Sequence, residues 1–319
     1  MSAVHPPPPA EAQPWAATPE RSTMLALRVI VWIALKLGRR AARLVLLPIT
    51  LYFTLFAPRA RRASRRYLTR ALGRRATWRD SMRHFHTFAA TILDRVFFLN
   101  DRADLFELDV QGAATAIEHA PQGALLFGAH FGSFEAVRAI GRMRSGMRVS
   151  VVMYEDNARK TNEVLAAINP RVCEDILPLG RLESMLALKR RLDEGGYVGV
   201  LADRTLGEET MRDVTLLGAR AQLPVGPFRL AALLRRPVIF MTGVYLGGNR
   251  YSIRFDAIAD FSHLGPGERA AAVHHAMDRY AAKLDALCRE APFNWFNFFP
   301  FWVDDVDACV AAARARDAS

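Results

Sequence analysis

Apolar runs alternate with helical patterns through the middle of the chain, and this alternation restricts the fold more than any other feature. The runs that are typical of strands are Phe106–Val110, Ala124–Phe127, Arg148–Met153, Val198–Leu201, Val238–Leu246 and Tyr251–Ala257. The helical patterns are Thr77–Leu99, Ser133–Arg144, Thr161–Ile168, Leu182–Glu194, Phe228–Arg235 and Glu268–Glu290. Such alternation predicts an α/β fold, with a mostly parallel central sheet flanked by helices.

The positive charge of the chain is concentrated in one N-terminal segment. The sequence has a formal net charge of +11, from 43 Lys and Arg against 32 Asp and Glu. Between Arg21 and Arg79 there are 15 basic residues and no acidic residue, so the remaining 28 basic residues are outnumbered by the 32 acidic ones. The basic character therefore belongs to this segment and not to the predicted α/β domain.

The same segment is also apolar, which favours contact with a membrane. Its longest uncharged stretch, Leu44–Ala57, has 14 residues and contains Pro48. A spanning helix needs about 20 apolar residues, so an amphipathic or re-entrant helical membrane anchor is predicted. Arginines from Arg59 to Arg66 follow at once and would face anionic cytoplasmic lipid. A buried helical hairpin with a solvated basic face is the alternative.

These patterns divide the chain into four parts. Residues 1–20 are rich in proline and predict a disordered tail. Residues 21–76 form the predicted anchor, 77–305 the predicted α/β domain and 306–319 a C-terminal tail. The three cysteines are widely spaced and show no disulfide or zinc pattern, which favours a reducing compartment. No nucleic-acid-binding motif accompanies the arginines, so nucleic acid is not an expected partner.

One imidazole stands where a predicted strand gives way to a predicted helix. In the stretch that begins ALLFGAHFGSFE, His130 follows Gly128, and Glu135 lies in the first turn of the helix that starts near Ser133. Ligands of open α/β sheets bind beyond the carboxyl ends of the strands. A histidine there, held by a carboxylate, can take a proton from a hydroxyl group, and Gly132 lets a substrate approach the backbone.

The spacing of His130 and Glu135 is not specific by itself. A second pair with the same spacing, His263 and Glu268, lies in a loop, where an acidic residue at a helix start explains it. The same structural explanation is open for Glu135. The strand before His130 is what favours a catalytic role at the first pair.

The box GAHFGSFE resembles the GxHxGxxE box of the lipid A biosynthesis late acyltransferases, a branch of the lysophospholipid and glycerolipid acyltransferase superfamily. The strand that ends in Asp203 and Arg204 is similar to their strand ending in Asp-Gln, although Arg204 departs from that pattern. The similarity covers roughly Leu25 to Val303. The ending PFNWFNFFPFW resembles relatives associated with glycolipid or aryl-polyene lipid assembly.

The resemblance implies a glycerolipid acyltransferase-like fold and a membrane-associated acyltransferase. In that scheme His130 is the general base and Glu135 holds its imidazole. Backbone N–H groups of Gly132 and Ser133, or a nearby arginine, stabilise the oxyanion, and Asp203 and Arg204 contact the acceptor or support the site. A surface Asp–Arg pair is the alternative for the last two. No metal or other cofactor is needed, and no G-x-S-x-G nucleophile motif is present.

The partners that the resemblance implies are an acyl carrier protein or acyl-CoA as donor, a glycolipid such as a lipid A precursor as acceptor, and inner-membrane lipid. The expected location is the cytoplasmic face of a bacterial inner (plasma) membrane. Two other functions stay open at this point. One is an esterase or thioesterase with the same fold, and the other is a non-catalytic membrane-surface protein.

Overall fold

The computed structural model describes residues 21–118, 123–143, 149–154, 168–169, 176–179, 182–205, 209–265 and 267–305. The predicted tails, 1–20 and 306–319, lie outside these ranges. The predicted helix Thr161–Ile168 also lies outside them, except for Ile168, and the division of the chain into four parts stays a prediction.

The described residues form a seven-stranded sheet and a separate two-stranded hairpin. The strands are β1 (Glu107–Gln111), β2 (Ala124–Gly128), β3 (Val149–Tyr154), β4 (Ile176–Leu179), β5 (Tyr197–Leu201), β6 (Met211–Leu216), β7 (Ala219–Pro224), β8 (Pro237–Gly247) and β9 (Arg250–Asp260). The order in the large sheet is β1-β9-β8-β2-β5-β3-β4, and every neighbouring pair is parallel except β8 and β9. The prediction of a mostly parallel sheet is confirmed. Strand β4 and the hairpin β6–β7 were not predicted.

Helices cover both faces of the sheet. They are α1 (Arg21–Phe56), α2 (Pro58–Leu72), α3 (Trp78–Leu99), α4 (Ala113–Glu118), α5 (Phe134–Met143), α6 (Leu182–Asp193), α7 (Gly226–Leu234) and α8 (Arg269–Glu290). Strand β2 is buried along its whole length. Its Leu125 and Phe127 belong to a core with α2, α6, α7 and α8, and its Ala124 and Leu126 to a core with α1, α3 and α5. A strand buried on both faces is typical of a parallel sheet between two helical layers.

Capping residues in the local sequence determine where α3 and α5 begin. Thr77 and Asp80 form a capping box at the start of α3, in which the Thr77 side chain accepts from the Asp80 backbone N–H and the Asp80 carboxylate accepts from the Thr77 N–H. The Ser133 hydroxyl oxygen accepts from the backbone N–H of Ala136 at 3.2 Å, which caps α5 directly after β2. These caps fix where α3 and α5 begin, and α5 begins directly after β2.

The N-terminal helices are joined to the core and also expose apolar surface. Val31, Ala34 and Leu46 of α1 are buried against α3, and Tyr67 and Leu68 of α2 belong to the other core. None of the described helices is by itself long and apolar enough to cross a bilayer. The bent pair Val31–Phe56 and Pro58–Leu72, which meet at 94°, passes such a test by length and composition together. The membrane anchor stays a prediction.

Candidate active site

Two parallel strands bring a histidine and an aspartate to the same edge of the sheet. β2 and β5 are neighbours, with Gly128 paired to Leu201. His130 and Asp203 each lie two residues beyond that pair. Because parallel strands end at the same edge, their side chains meet where α/β sheets bind ligands.

The imidazole of His130 is held by Asp203. Its Nδ1 lies 2.8 Å from Oδ1 of Asp203, and its backbone N–H donates to Oδ2 at 3.1 Å. A carboxylate that accepts from Nδ1–H leaves the lone pair of a neutral imidazole on Nε2. The side chain is 39% exposed, and no hydrogen-bond partner is found for Nε2 among the described residues. Nε2 is therefore free to accept a proton from a bound hydroxyl.

The charges around this pair favour a neutral histidine and an ionised aspartate. Desolvation lowers the pKa of His130 below its usual 6.5, and the nearby positive charges of Arg204 and Arg95 lower it further, while Asp203 acts in the opposite direction. Burial raises the pKa of Asp203, but His130, Arg204 and the Trp295 N–H outweigh burial and keep that pKa well below its usual range. At neutral pH these shifts favour a neutral imidazole, which can accept a proton, beside an ionised carboxylate.

Asp203 is fully buried and fixed by donors on several sides. Besides the two bonds from His130, its Oδ2 accepts from the indole N–H of Trp295 at 3.0 Å and from the Arg204 guanidinium at 3.3 Å. Arg204 also donates to the backbone carbonyl of Phe296 and lies over the Phe299 ring. The reading of Asp203 and Arg204 as a surface pair is wrong, because Asp203 has no exposed surface. Its position supports the imidazole.

A second, neutral histidine supports the indole behind Asp203. Nε2–H of His84 donates to the Trp295 carbonyl at 2.9 Å, and its Nδ1 accepts from the Ser64 hydroxyl at 3.0 Å. Burial lowers the pKa of His84 to about 4, which keeps it uncharged. Hydrogen bonds therefore connect Ser64 of α2 to His84 of α3, His84 to Trp295, and Trp295 to Asp203. No cluster of three or more His, Cys, Asp or Glu that could hold a metal occurs in the described ranges.

Glu135 does not hold the imidazole as expected. Its Oε1 accepts from Nε of Arg95 at 2.5 Å, and its side chain is buried against α3. The carboxylate on Nδ1 of His130 is that of Asp203, so the predicted orienting role of Glu135 is wrong. Glu135 positions Arg95, whose charge acts on His130.

The predicted oxyanion donors at Gly132 and Ser133 are already used within the fold. The N–H of Gly132 donates to the Asn294 carbonyl, and that of Ser133 donates to the Gly243 carbonyl, both at 2.8 Å. The Ser133 hydroxyl oxygen caps α5 and is buried. These two residues fix the turn after β2, and their N–H groups are not available to an oxyanion. Of the predicted donors, the nearby arginines remain.

A comparison with protein families identifies the family of the chain. A family model described as bacterial lipid A biosynthesis acyltransferase matches residues 12–303. The chain belongs to this family. The resemblance seen in the sequence is thereby confirmed, and a non-catalytic membrane-surface protein is set aside. A search of curated proteins finds no significant match.

As a member of the lipid A acyltransferase family, the protein is an acyltransferase.

Trp295 and His84 were not predicted as site residues. The only sequence signal for Trp295 is its place in the aromatic ending of the domain. In the structure its backbone pairs with that of Phe131, the residue after His130. For His84 the signal is a lone histidine on the apolar face of α3. Both contacts cross more than 90 residues of sequence, and spacing cannot reveal them.

The second pair with the same spacing has a structural role, as its local sequence indicated. Glu268 directly precedes α8, and its Oε2 accepts from the backbone N–H of Gly265 at 2.9 Å. Strand β9 ends at Asp260, three residues before His263. Because β9 runs antiparallel to β8, which is parallel to β2, the end of β9 lies at the opposite edge of the sheet from the end of β2. The two matches to the spacing therefore differ in the edge of the sheet at which the histidine lies.

Proposed function

We propose that this acyltransferase moves a fatty acyl group from an acyl thioester to a hydroxyl group of a lipid A precursor or a related glycolipid. The acyl carrier is an acyl carrier protein or CoA. The observation that carries the proposal is the His130–Asp203 pair, in which a neutral imidazole presents a free Nε2 at the edge of the sheet. The family contributes the reaction class, and the aromatic ending supports a glycolipid acceptor other than lipid A itself as a second candidate.

The reaction follows from the orientation of the imidazole. Nε2 of His130 removes the proton from the acceptor hydroxyl while the oxygen attacks the thioester carbonyl carbon. Asp203 stabilises the imidazolium that forms, as a buried carboxylate on Nδ1 does. The tetrahedral intermediate then collapses, the carbon–sulfur bond breaks, and the thiolate takes the proton back from Nε2. The products are an ester and a free thiol, with no acyl-enzyme.

Two arginines are the candidates for stabilising the oxyanion. Arg204 is fixed by Asp203 and the Phe296 carbonyl, and Arg95 is fixed by Glu135. Both are close enough to lower the pKa of His130. A positive charge that is already oriented before the reaction stabilises developing negative charge without reorganisation. In this scheme Glu135 contributes through Arg95.

The location that we propose is the cytoplasmic face of a bacterial inner membrane, with α1 in contact with lipid. Large apolar side chains are exposed along α1: Trp32, Leu35, Leu37, Leu44, Leu47, Leu51, Tyr52, Phe53, Leu55 and Phe56. An exposed apolar surface of this extent marks an interaction site. The basic residues of α1 and α2 favour anionic lipid.

The contact of α1 with lipid is tested by charging its exposed surface. Leu44→Glu combined with Phe56→Glu, at positions 71% and 70% exposed, should lower binding to lipid vesicles by at least about tenfold, because burying each side chain contributes about 1.5–3 kcal/mol. The matched control is Leu186→Glu combined with Leu233→Glu, on α6 and α7, also exposed. Vesicle flotation measures both. Equal losses in the two double variants would contradict a membrane surface on α1.

The reaction is tested with the purified full chain in detergent. Acyl carrier protein thioester and acyl-CoA are offered with and without a lipid A precursor, and products are read by mass spectrometry. The expected result is an acceptor heavier by one acyl group, with one thiol released for each ester formed. Release of free fatty acid at the same rate with or without acceptor would instead favour the thioesterase alternative.

A further inference from the structure

A cavity of about 790 Å³ opens beside the break in α1, away from the catalytic pair. The break is at Gly38, which has φ +81. Part of its wall is formed by Phe97 of α3, by Leu105, and by Gly248, which lies in the turn between β8 and β9. None of the lining residues is among those that contact His130 or Asp203. The cavity is therefore a separate site.

Four arginines line this cavity, and two of them are already neutralised. Arg39 donates to both carboxylate oxygens of the buried Asp94, at 2.7 and 2.8 Å. Arg102 pairs with Asp104 at 3.2 Å on the surface. These two guanidinium groups shape the wall, and their charges are balanced.

The other two, Arg40 and Arg43, have no acidic partner among the described residues. Arg43 donates to the carbonyl of Gly248 and, at 2.6 Å, to the hydroxyl of Tyr245, and it lies over the Tyr245 ring. Its guanidinium is thus held in one orientation by neutral groups, without loss of its charge. Arg40 is exposed and lies about one turn before Arg43 on α1. Two unbalanced guanidinium groups in a concave site favour an anion that accepts several hydrogen bonds, such as a phosphate.

The rim of the cavity is apolar and continues into the exposed surface of α1. Leu35 and Leu37 line it and are 45% and 60% exposed, and Trp32 and Leu44 lie one to two turns away on the same helix. A free phosphate ion makes no use of such a rim. A phosphate that is attached to acyl chains would use both the guanidinium groups and the leucines.

We propose that this cavity binds the phosphate headgroup of an anionic phospholipid. Arg40 and Arg43 contact the phosphate, and the acyl chains lie over Leu35 and Leu37. The site would fix the depth and orientation of α1 at the membrane surface, which diffuse attraction by the arginines of α2 would not do. The proposal does not depend on the identity of the acyl acceptor.

The test is a titration of the purified full chain, in neutral detergent, with short-chain phosphatidylglycerol below its micelle concentration. Calorimetry should show one bound lipid per chain. Arg40→Gln combined with Arg43→Gln should weaken binding by about tenfold or more, because two charge-assisted contacts are lost. Arg40→Gln alone, at a side chain without a partner among the described residues, should weaken it in the same direction with the fold intact.

The matched control removes the same charge from the same basic segment, outside the cavity. Arg59→Gln combined with Arg62→Gln changes exposed residues of α2 and should leave the affinity within about threefold of the parent protein. Equal weakening by both pairs would reduce the effect to diffuse attraction and overturn the site. Equal affinity for inorganic phosphate would overturn the lipid as ligand, and equal affinity for short-chain phosphatidylcholine would overturn the role of the charge.

Discussion

Replacing Asp203 with Asn should lower kcat by about 10³–10⁴ while the protein stays folded. An asparagine of the same size can donate its amide N–H to Nδ1 of His130. That contact favours the tautomer with the proton on Nε2, which then has no lone pair for the acceptor hydroxyl. Conversion of an orienting carboxylate to an amide at a catalytic histidine costs about 10⁴ in a comparable arrangement. Loss of a general base costs about 10²–10⁴.

The measurement is the rate of acyl transfer by the single and double variants, with thermal melting to confirm folding. If Asp203 acts only through the imidazole, Asp203→Asn should add little to the loss caused by His130→Ala, because residues that act as a unit are not additive. A further large loss in the His130→Ala background would contradict this assignment. In the parent enzyme the acid limb of kcat/KM should lie below pH 6.5, since the pKa of His130 is lowered.

Glu135 provides the comparison within the same experiment. It pairs with Arg95, so Glu135→Gln and Arg95→Gln should be non-additive with each other. Each should couple to His130→Ala more weakly than Asp203→Asn does, because neither side chain contacts the imidazole directly. The two cycles thus separate a carboxylate that acts through the base from one that acts through an arginine. Coupling of Glu135→Gln to His130→Ala as strong as that of Asp203→Asn would restore the predicted His130–Glu135 pair.

The sequence was sufficient to predict the strand that leads to His130, but it was insufficient to predict which carboxylate contacts this histidine. The ends of β2 and β5 were both predicted, and His130 and Asp203 were both named as candidates. Their contact depends on β5 lying next to β2 in the sheet, and strand order cannot be read from periodicity. Spacing therefore favoured the nearest carboxylate along the chain, Glu135. The cap at Ser133 and the turn at Gly132 direct the helix so that this side chain meets Arg95 on α3.

The missed hairpin and strand have different causes. Strands β6 and β7 are joined by Leu217 and Gly218, both with positive φ, as a two-residue hairpin turn requires. Apolar and polar residues alternate in both strands, from Asp213 to Leu216 and from Ala219 to Leu223. This signal was available in the sequence, and it matches the alternating burial of the two strands. Strand β4 has only four residues, including Pro178, and a proline within a short run argues against a strand. It pairs at the edge of the sheet, where a missing N–H is tolerated.

Gly132→Ala should lower the free energy of unfolding by about 3–6 kcal/mol. Gly132 has φ +62, a conformation that costs an alanine about 1–2 kcal/mol. A Cβ there would lie 2.0 Å from the Gly243 carbonyl oxygen, and such overpacking costs about 1–3 kcal/mol. To relieve the clash, the turn must move away from β8 and break the bond from the Ser133 N–H to the same carbonyl, at about 1 kcal/mol.

Gly218→Ala is the matched control, because Gly218 has φ +76 but nothing within 4 Å of an added Cβ. It should show only the backbone cost of about 1–2 kcal/mol. Thermal and urea unfolding of both variants measure the difference. The displaced turn carries His130 two residues earlier, so acyl transfer by the folded fraction of Gly132→Ala should also fall, whereas that of Gly218→Ala should not. Similar unfolding free energies for the two variants would contradict the close contact between the turn and β8, because that contact is the steric cost that Gly218→Ala lacks.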